Sequence, residues 1–469
     1  MPENSDFWSF FKLFVAEKYL ERTWKGNSLY CVYYQLIWAR LVLSYLAMLR
    51  SLFVDFNSYF ASVEQQVKPH LRGRPVGVLP VMTQTTCCIA ASYEAKAYGI
   101  KTGTSVMDAK HLCPEIVFVE AKHEIYVDFH QRAVAAVERI APVRQVLSID
   151  EMECELTGSW RQRDKAIAIA QNIKKEILST VGICLRCSIG IAPNTLLGKL
   201  ASDMQKPDGL VVIEQAELPE RLYPLKLQDV QGIGKRMLQR LQAAGIFSMA
   251  ELCAAPRDVL HSVWGGVAGT EMHDMLRGQW YGPRTTTARS LGHSHVLPPE
   301  LRNPEGALGV LMRLTQKAAM RLRKQGFYAT AMSVSVRCDH RYQAMPETSH
   351  GGGRDAQFGQ MQDTGFFLDV LHKLWHSGLQ LLQHPKAVNV TMHGLVLVGQ
   401  HTPDLFDFSD APKASSLAAR DRGKLDAAMD KLNKTYGKNT LYFAASHDAK
   451  DTAPMRIAFN RIPDLETEV

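Results

Sequence analysis

Residues 146–156 read VLSIDEMECEL, and the fold turns on how they are placed. Apolar residues on either side argue for strand, yet Asp150 and Glu151 stand side by side in the middle. Adjacent strand residues point to opposite faces, so two neighbouring acids serve one target only where the backbone turns. VRQVLSI and MECEL then read as the two arms of a hairpin, with Asp150 and Glu151 near its tip. Strand is expected through Val146 and Ser148.

Outward from this hairpin, strands and helices mix. Residues 51–67, SLFVDFNSYFASVEQQV, run from an apolar strand into a helix, with Asp55 at the strand end and Ser58 as a candidate cap. RPVGVLPV (74–81) is a strand, and TTCCIAASYEAKAYGI (85–100) is a short strand leading into a helix stopped by Gly99. Amphipathic helices are expected over 125–141 and 163–178, a strand over 184–192, a helix over 194–206 and a strand over 209–213. Hairpin and crossovers together predict an antiparallel or mixed sheet with helices on one face. Beyond Tyr223 the pattern changes to short helices around VQGIGKRMLQRLQAAGI (230–246). A second β/α unit follows: strands over 289–297, 329–338 and 387–399, and helices over 304–326 and 367–382. Residues 351–362, rich in Gly and Gln, read as a flexible insertion, which leaves the middle strand of this unit unassigned. After about residue 410 the chain is polar and poorly packed, apart from a helix near 425–436.

The chain has 469 residues, enough for several domains, with 46% hydrophobic and 22% charged residues, as in ordinary globular protein. Ten Lys and Arg against three acids between Arg284 and Met345 match the entire net charge of +7. Such a localised basic segment points to a polyanion. The nine cysteines follow no disulfide framework and read as reduced core thiols in a cytosolic protein. Residues 29–49 approach the length of a membrane span, but Met48 directly precedes a well-formed strand. Residues 1–47 are therefore expected to be a non-native start or a disordered extension, with no stable membrane association.

If Asp55, Asp150 and Glu151 meet at one end of a sheet, their charges repel and raise one another's pKa. The sequence shows no obvious lysine partner for them. A divalent cation relieves the conflict, and hard oxygen donors completed by water and phosphate suit Mg²⁺. Two such ions can clamp the attacking and leaving oxygens of a phosphoryl displacement. Lys96 and Lys206 supply positive charge for a triphosphate, Tyr93 a hydroxyl one turn before Lys96, and the amides of FNSYF a helix N-terminus. Taken singly, each is as readily a turn acid, a surface lysine or a packed aromatic.

FVDFNSYFASVEQQ, AASYEAKAYGIKTG, SIDEMECELTG, SIGIAPNTLLGKLASDMQKPDGL and VQGIGKRMLQRLQAAGI, in that order, resemble the Y-family, translesion DNA polymerases, above all the bacterial DNA polymerase IV (DinB) branch, with some likeness to UmuC-type members. The resemblance covers about residues 50–400. It implies an α+β, multi-domain right-hand architecture. The parts are a ferredoxin-like palm (48–77 and 120–222), small fingers (78–119) and a helical helix-hairpin-helix thumb (223–283). A separate β-α-β-β-α-β little finger (284–400) and a C-terminal tail (401–469) complete it. It implies that Asp55, Asp150, Glu151 and the Phe56 carbonyl ligate two Mg²⁺ ions, with Mn²⁺ able to substitute. Tyr59, Phe60, Tyr93, Lys96 and Lys206 bind the dNTP, with Phe60 as steric gate against a 2′-hydroxyl. Gly232, Gly234, Lys235 and Arg236 in the thumb, and Arg321, Arg323, Lys324 and Arg337 in the little finger, hold primer-template DNA. Leu405 and Phe406 in GQHTPDLFDF resemble a sliding-clamp peptide. The protein is expected to be a cytoplasmic monomer. Asn57, where relatives often carry an acid, and Lys96, where many carry Arg, depart from the pattern. The competing readings are a catalytically weak, polymerase-like accessory protein and a nucleotidyl cyclase. The first should lack one of the acids, and the second has no use for the hairpin motif or the basic unit.

Overall fold

The computed structural model describes residues 49–84, 86–282, 288–338, 351–400, 414–437, 440–444, 447 and 462. The N-terminal segment 1–47 and the clamp-like Leu405 and Phe406 lie outside the described residues. The chain forms two compact units, Met1–Val119 with Arg132–Tyr281, and Glu120–Gln131 with Gly282–Val469.

In the first unit, β1 (Ser51–Phe56) is buried at every residue. That explains its nearly continuous apolar run: a strand covered on both faces has no solvent side to mark. Then come α1 (Tyr59–Val67), β2 (Val76–Leu79), β3 (Ala90–Ala91), α2 (Tyr93–Ala97), α3 (Val106–Leu112) and β4 (Val117–Glu120). Ser58 does not cap α1 as expected. It adopts a left-handed backbone, φ 48°, and its side chain makes no cap bond. By contrast, Ser92 and Ser105 cap α2 and α3 by accepting from the amides of Ala95 and Asp108. A small sheet in the order β3-β2-β4 packs with both helices around Leu79, Ile100, Val106 and Ile116.

Helix α4 (His123–Glu138) leads to β5 (Val143–Val146), β6 (Glu151–Glu155), α5 (Arg163–Thr180), β7 (Cys187–Ala192), α6 (Thr195–Met204) and β8 (Leu210–Val212). The main sheet has the order β5-β6-β1-β7-β8 and is mixed, with only β7 and β8 parallel. Two expected boundaries shift. The strand does not run through Ser148, because 147–150 is a turn, and the strand after Cys184 begins only at Cys187. Helix α6 lies hard against the sheet because glycines meet there. A Cβ on Gly190 would stand 2.0 Å from the Gly198 carbonyl oxygen, and one on Gly198 would stand 2.8 Å from Ser51 Oγ. Four short helices follow: α7 (Lys235–Ala243), α8 (Met249–Ala254), α9 (Arg257–Trp264) and α10 (Val267–Met275). Their core of Ile233, Leu241, Leu252 and Leu260 continues into Leu196 and Leu200 of α6.

The second unit holds β9 (Ser290–Val296), α11 (Pro304–Lys324), β10 (Phe327–Cys338), β11 (Gly351–Met361), α12 (Thr364–His376), β12 (Pro385–His393), β13 (Val396–Leu397) and α13 (Ala414–Tyr436). Its antiparallel sheet runs β11-β10-β12-β9, with β13 pairing the start of β10. Met332, Val334 and Val336 alternate inward against Val310, Leu314, Phe367 and Leu371 of α11 and α12. Residues 351–361 are therefore no flexible insertion. They are the missing strand, in register with β10 from Arg337↔Gly351 to Ala331↔Gln357. As an edge strand, β11 tolerates glycines, and its exposed Arg354 and Asp355 discourage pairing with another chain. The tail helix is also better anchored than its polarity suggested. Asp426 of α13 is buried and accepts from the Thr364 amide, while Arg323 binds Asp426 and Asp430 at 3.2 and 2.8 Å.

Candidate active site

The turn at 147–150 resolves the adjacency of the two acids. The amides of Leu147 and Ser148 both donate to the Glu151 carbonyl, at 2.9 and 3.2 Å. Glu151 opens β6 and is the direct register partner of Asp55 on β1. Directly opposed residues of an antiparallel pair share a face. Asp150 stays in the turn, fastened beside β1 by the Phe56 amide donating to its carbonyl at 2.8 Å. Ser148 Oγ donates to Asp150 Oδ1 at 2.6 Å. One acid thus comes from the strand and one from the turn, which a single strand face does not permit.

Burial lifts the Asp150 carboxyl above the ordinary aspartate range. The Ser148 hydrogen bond pulls the other way, and the charges of Asp55 and Glu151 push further up. The expected absence of lysine partners is overturned. Lys199 on α6 contacts Asp55 Oδ2, Glu151 Oε1 (2.8 Å) and Asp203 Oδ2 (3.2 Å). Lys206 Nζ stands 2.8 Å from Asp55 Oδ1 and 2.7 Å from Asp203 Oδ1. Burial opposes charge on Lys199, but Asp55, Asp203 and Glu151 together hold its pKa well above the usual lysine value. Lys199 was missed because it was read as part of a helix pattern. Its signal was the i, i+4 spacing of Lys199 and Asp203 on a largely apolar helix, with Lys206 just beyond the helix end.

Among the described residues, no three His, Cys, Asp or Glu side chains stand ready as a metal cluster. Between Asp55 and Glu151 stands the Lys199 ammonium. The donor set still fits a hard divalent ion: only carboxylate oxygens, from β1, β6 and the turn, already gathered round one positive charge.

Tyr93 and Lys96 flank this group on α2, with Lys96 Nζ 4.4 Å from the Tyr93 ring centre. Burial, then the charge of Lys206, lowers the Lys96 pKa. Tyr93 is raised by burial and feels Lys206, Asp55 and Asp203. The structure thus brings Asp55, Asp150, Glu151, Tyr93, Lys96 and Lys206 into one electrostatic neighbourhood. Tyr59 is buried, its ring 5.8 Å from Phe56, whereas Phe60 is partly exposed. Ser58 Oγ is buried without a hydrogen-bond partner at the start of α1.

The departure at Asn57 has a structural account. Its Nδ2 donates to Ser188 Oγ at 3.0 Å, and its Oδ1 accepts from the Asp208 amide at 2.8 Å. Lys174 and Arg186, each at 2.7 Å, hold the Asp208 carboxylate. This network fastens the loop that carries Lys206.

Elsewhere in the first unit, Gly232 has φ 94° and Gly234 precedes α7, with nothing within 4 Å of a Cβ at either. Ile233 between them is buried, and Lys235 and Arg236 are exposed. In the second unit Lys324 and Arg337 are exposed. Arg321 is half-buried, its pKa pushed down to about 10 by burial, and Arg323 is committed to Asp426 and Asp430.

Residues 54–203 match the impB/mucB/samB family and 288–405 its C-terminal domain. DNA polymerase IV of Moorella thermoacetica is 34% identical over 402 residues, 84% of this chain and 95% of the relative. DNA polymerase IV 1 of Bacillus subtilis is 28% identical over 419 residues, 87% and 95% of the two chains. Among solved structures, a Y-family DNA polymerase chimera, Dbh-Dpo4(243-245)-Dbh, superposes with a TM-score of 0.61 at 23% identity, covering 74% of this chain and 99% of the other. An insertion ternary complex of Dbh DNA polymerase gives 0.52 at 24% identity, with the same coverage. No helix among the described residues is long and apolar enough to cross a membrane.

Proposed function

The chain belongs to the impB/mucB/samB family, the DinB-like Y-family DNA polymerases, and from that premise we propose how its own residues carry out the reaction. The protein is a DNA-directed DNA polymerase of translesion synthesis, and its family requires a divalent metal. In our reading the metal is a pair of Mg²⁺ ions, replaceable by Mn²⁺, held by Asp55, Asp150, Glu151 and the Phe56 carbonyl. Bound there, the ions supply Lewis-acid stabilisation to a phosphoryl transfer.

The chain does the rest by placement. Lys206, Lys96 and Tyr93 line up the triphosphate of an incoming dNTP, and the unpaired Ser58 hydroxyl at the start of α1 adds a donor. The Asn57–Asp208 network keeps the Lys206 loop in position. Phe60 stands at the sugar and excludes a 2′-hydroxyl, with buried Tyr59 packed behind it. The turn at Gly232 and Gly234, with Lys235 and Arg236, binds backbone phosphates of primer-template DNA. Lys324 and Arg337 do the same from the little finger, with Arg321 partly withdrawn and Arg323 withdrawn into the tail contact. Contacts of this kind position without reading sequence, as lesion bypass requires. The palm is 48–77 with 120–222, the fingers 78–119, the thumb 223–283, the little finger 284–400 and the tail 401–469. We further assign Leu405 and Phe406 to a sliding clamp, and the protein to the cytoplasm as a monomer.

The observation that carries this reading is the direct pairing of Asp55 with Glu151, with the Phe56 amide bonded to Asp150. The test is extension of a labelled primer past an abasic site with Mg²⁺ and each dNTP, beside Asp150→Ala. Bypass by the parent and near-complete loss in the variant support it; equal extension rejects the site.

A further inference from the structure

Four carboxylates (Asp55, Asp150, Glu151 and Asp203) face two ammonium groups, Lys199 and Lys206, at the end of β1. We propose that Lys199 is the resident counter-ion of the metal-free site, and that a divalent cation enters by displacing it toward Asp203. The proposal rests on reading Asp55, Asp150 and Glu151 as the metal ligands.

Lys199 is not a surface lysine that has folded inward by chance. Its side chain is 16% exposed, and its nitrogen stands 5.6 Å from the ring centre of Phe53, itself buried. The close seating of α6 through Gly190 and Gly198 fixes its base over β1. One ammonium joins oxygens from β1, β6 and α6, so it does the electrostatic work of a cation between strands that would otherwise repel.

The displaced ammonium has somewhere to go. Asp203 lies one helical turn beyond it at 3.2 Å, so Lys199 can release Asp55 and Glu151 while keeping one partner. Charge balance then sets the order of events. With Lys199 and Lys206 in place and Lys96 nearby, the four acids retain at most two net negative charges, enough for no more than one divalent ion. A second ion leaves the site net positive until an anion arrives, and the triphosphate of a nucleotide is that anion. Lys199 therefore weakens occupancy by bare cations and couples full loading to the nucleotide.

The test is a Mn²⁺ titration of the full chain without nucleotide, following the paramagnetic resonance signal of the free ion. Lys199→Met is expected to bind Mn²⁺ at least ~10-fold tighter than the parent, and Lys199→Arg, which keeps the charge, within about threefold of it. Equal or weaker binding by Lys199→Met overturns the displacement. Asp55→Asn, run alongside, is expected to lose the site. Parent-like binding by that variant overturns the ligand assignment as well, which separates the two failures. A second measurement needs no variant. Amine acylation of the parent, read by mass spectrometry, should label Lys199 slowly without metal and several-fold faster at saturating Mn²⁺. Unchanged labelling overturns the proposal.

Discussion

Asp55 and Glu151 face each other as register partners across β1 and β6, while Asp150, adjacent in sequence to Glu151, reaches the same place from a turn. The turn lets consecutive residues both lie beside Asp55. The strand pairing leaves Asp55 and Glu151 little freedom to drift apart, so the site's geometry is inherited from the sheet.

Phe60 follows buried Tyr59 on α1 and is the aromatic of the pair that remains partly exposed. Exclusion by a ring is a steric penalty against the wrong sugar rather than a bond to the right one. Phe60→Ala should raise ribonucleotide incorporation relative to deoxynucleotide by roughly tenfold or more, with dNTP addition reduced much less. Steady-state kcat/KM for matched rNTP and dNTP pairs measures this; an unchanged ratio rejects Phe60 as the gate.

The hairpin, most elements of the first unit and the three acids are legible in the sequence, whereas α3 and β4 are not assigned there. Their signals are local: apolar period and charged residues at strand ends. What escaped reading depends on tertiary contact. The strand 351–361 was hidden by its glycines and glutamines, which look like a linker until β10 supplies hydrogen-bond partners. Lys199 was hidden because a lysine on a helix is ordinarily solvated, and only the glycine-mediated seating of α6 turns it inward. Arg323 was counted as part of a basic surface, although carboxylates of a helix about a hundred residues later hold it.

Arg323 accordingly contributes to the fold. Arg323→Ala leaves the buried Asp426 carboxylate without its cation and should cost about 2–4 kcal/mol, seen as a lower denaturant midpoint. The salt dependence of DNA binding should keep its slope, whereas Lys235→Ala should flatten it by about one unit. A flattened slope in Arg323→Ala with unchanged stability would place Arg323 on the DNA instead.

Asp208 ties the Lys206 loop to the sheet. Burial would raise its pKa, but hydrogen bonds from Lys174 and Arg186 more than offset this and hold it below the usual aspartate value. A carboxylate with a depressed folded pKa contributes stability that is complete above the unfolded value, about 3.9, and lost as pH falls through the folded one. The stability difference between the parent and Asp208→Asn should therefore be flat from neutral pH down to about 5 and shrink below 4. Melting temperatures across that range measure it, and a difference that grows on acidification contradicts the assignment.

The most direct measurement is single-turnover addition of one dNTP to a primer 3′-hydroxyl at saturating Mg²⁺. The parent is compared with Asp55→Asn, Asp150→Asn and Glu151→Gln, and primer-template affinity is measured on the same preparations. The two aspartate variants should lose about a thousandfold or more in rate and Glu151→Gln about a hundredfold, all three with DNA affinity unchanged. Addition at the parent's rate by Asp55→Asn or Asp150→Asn would contradict the account.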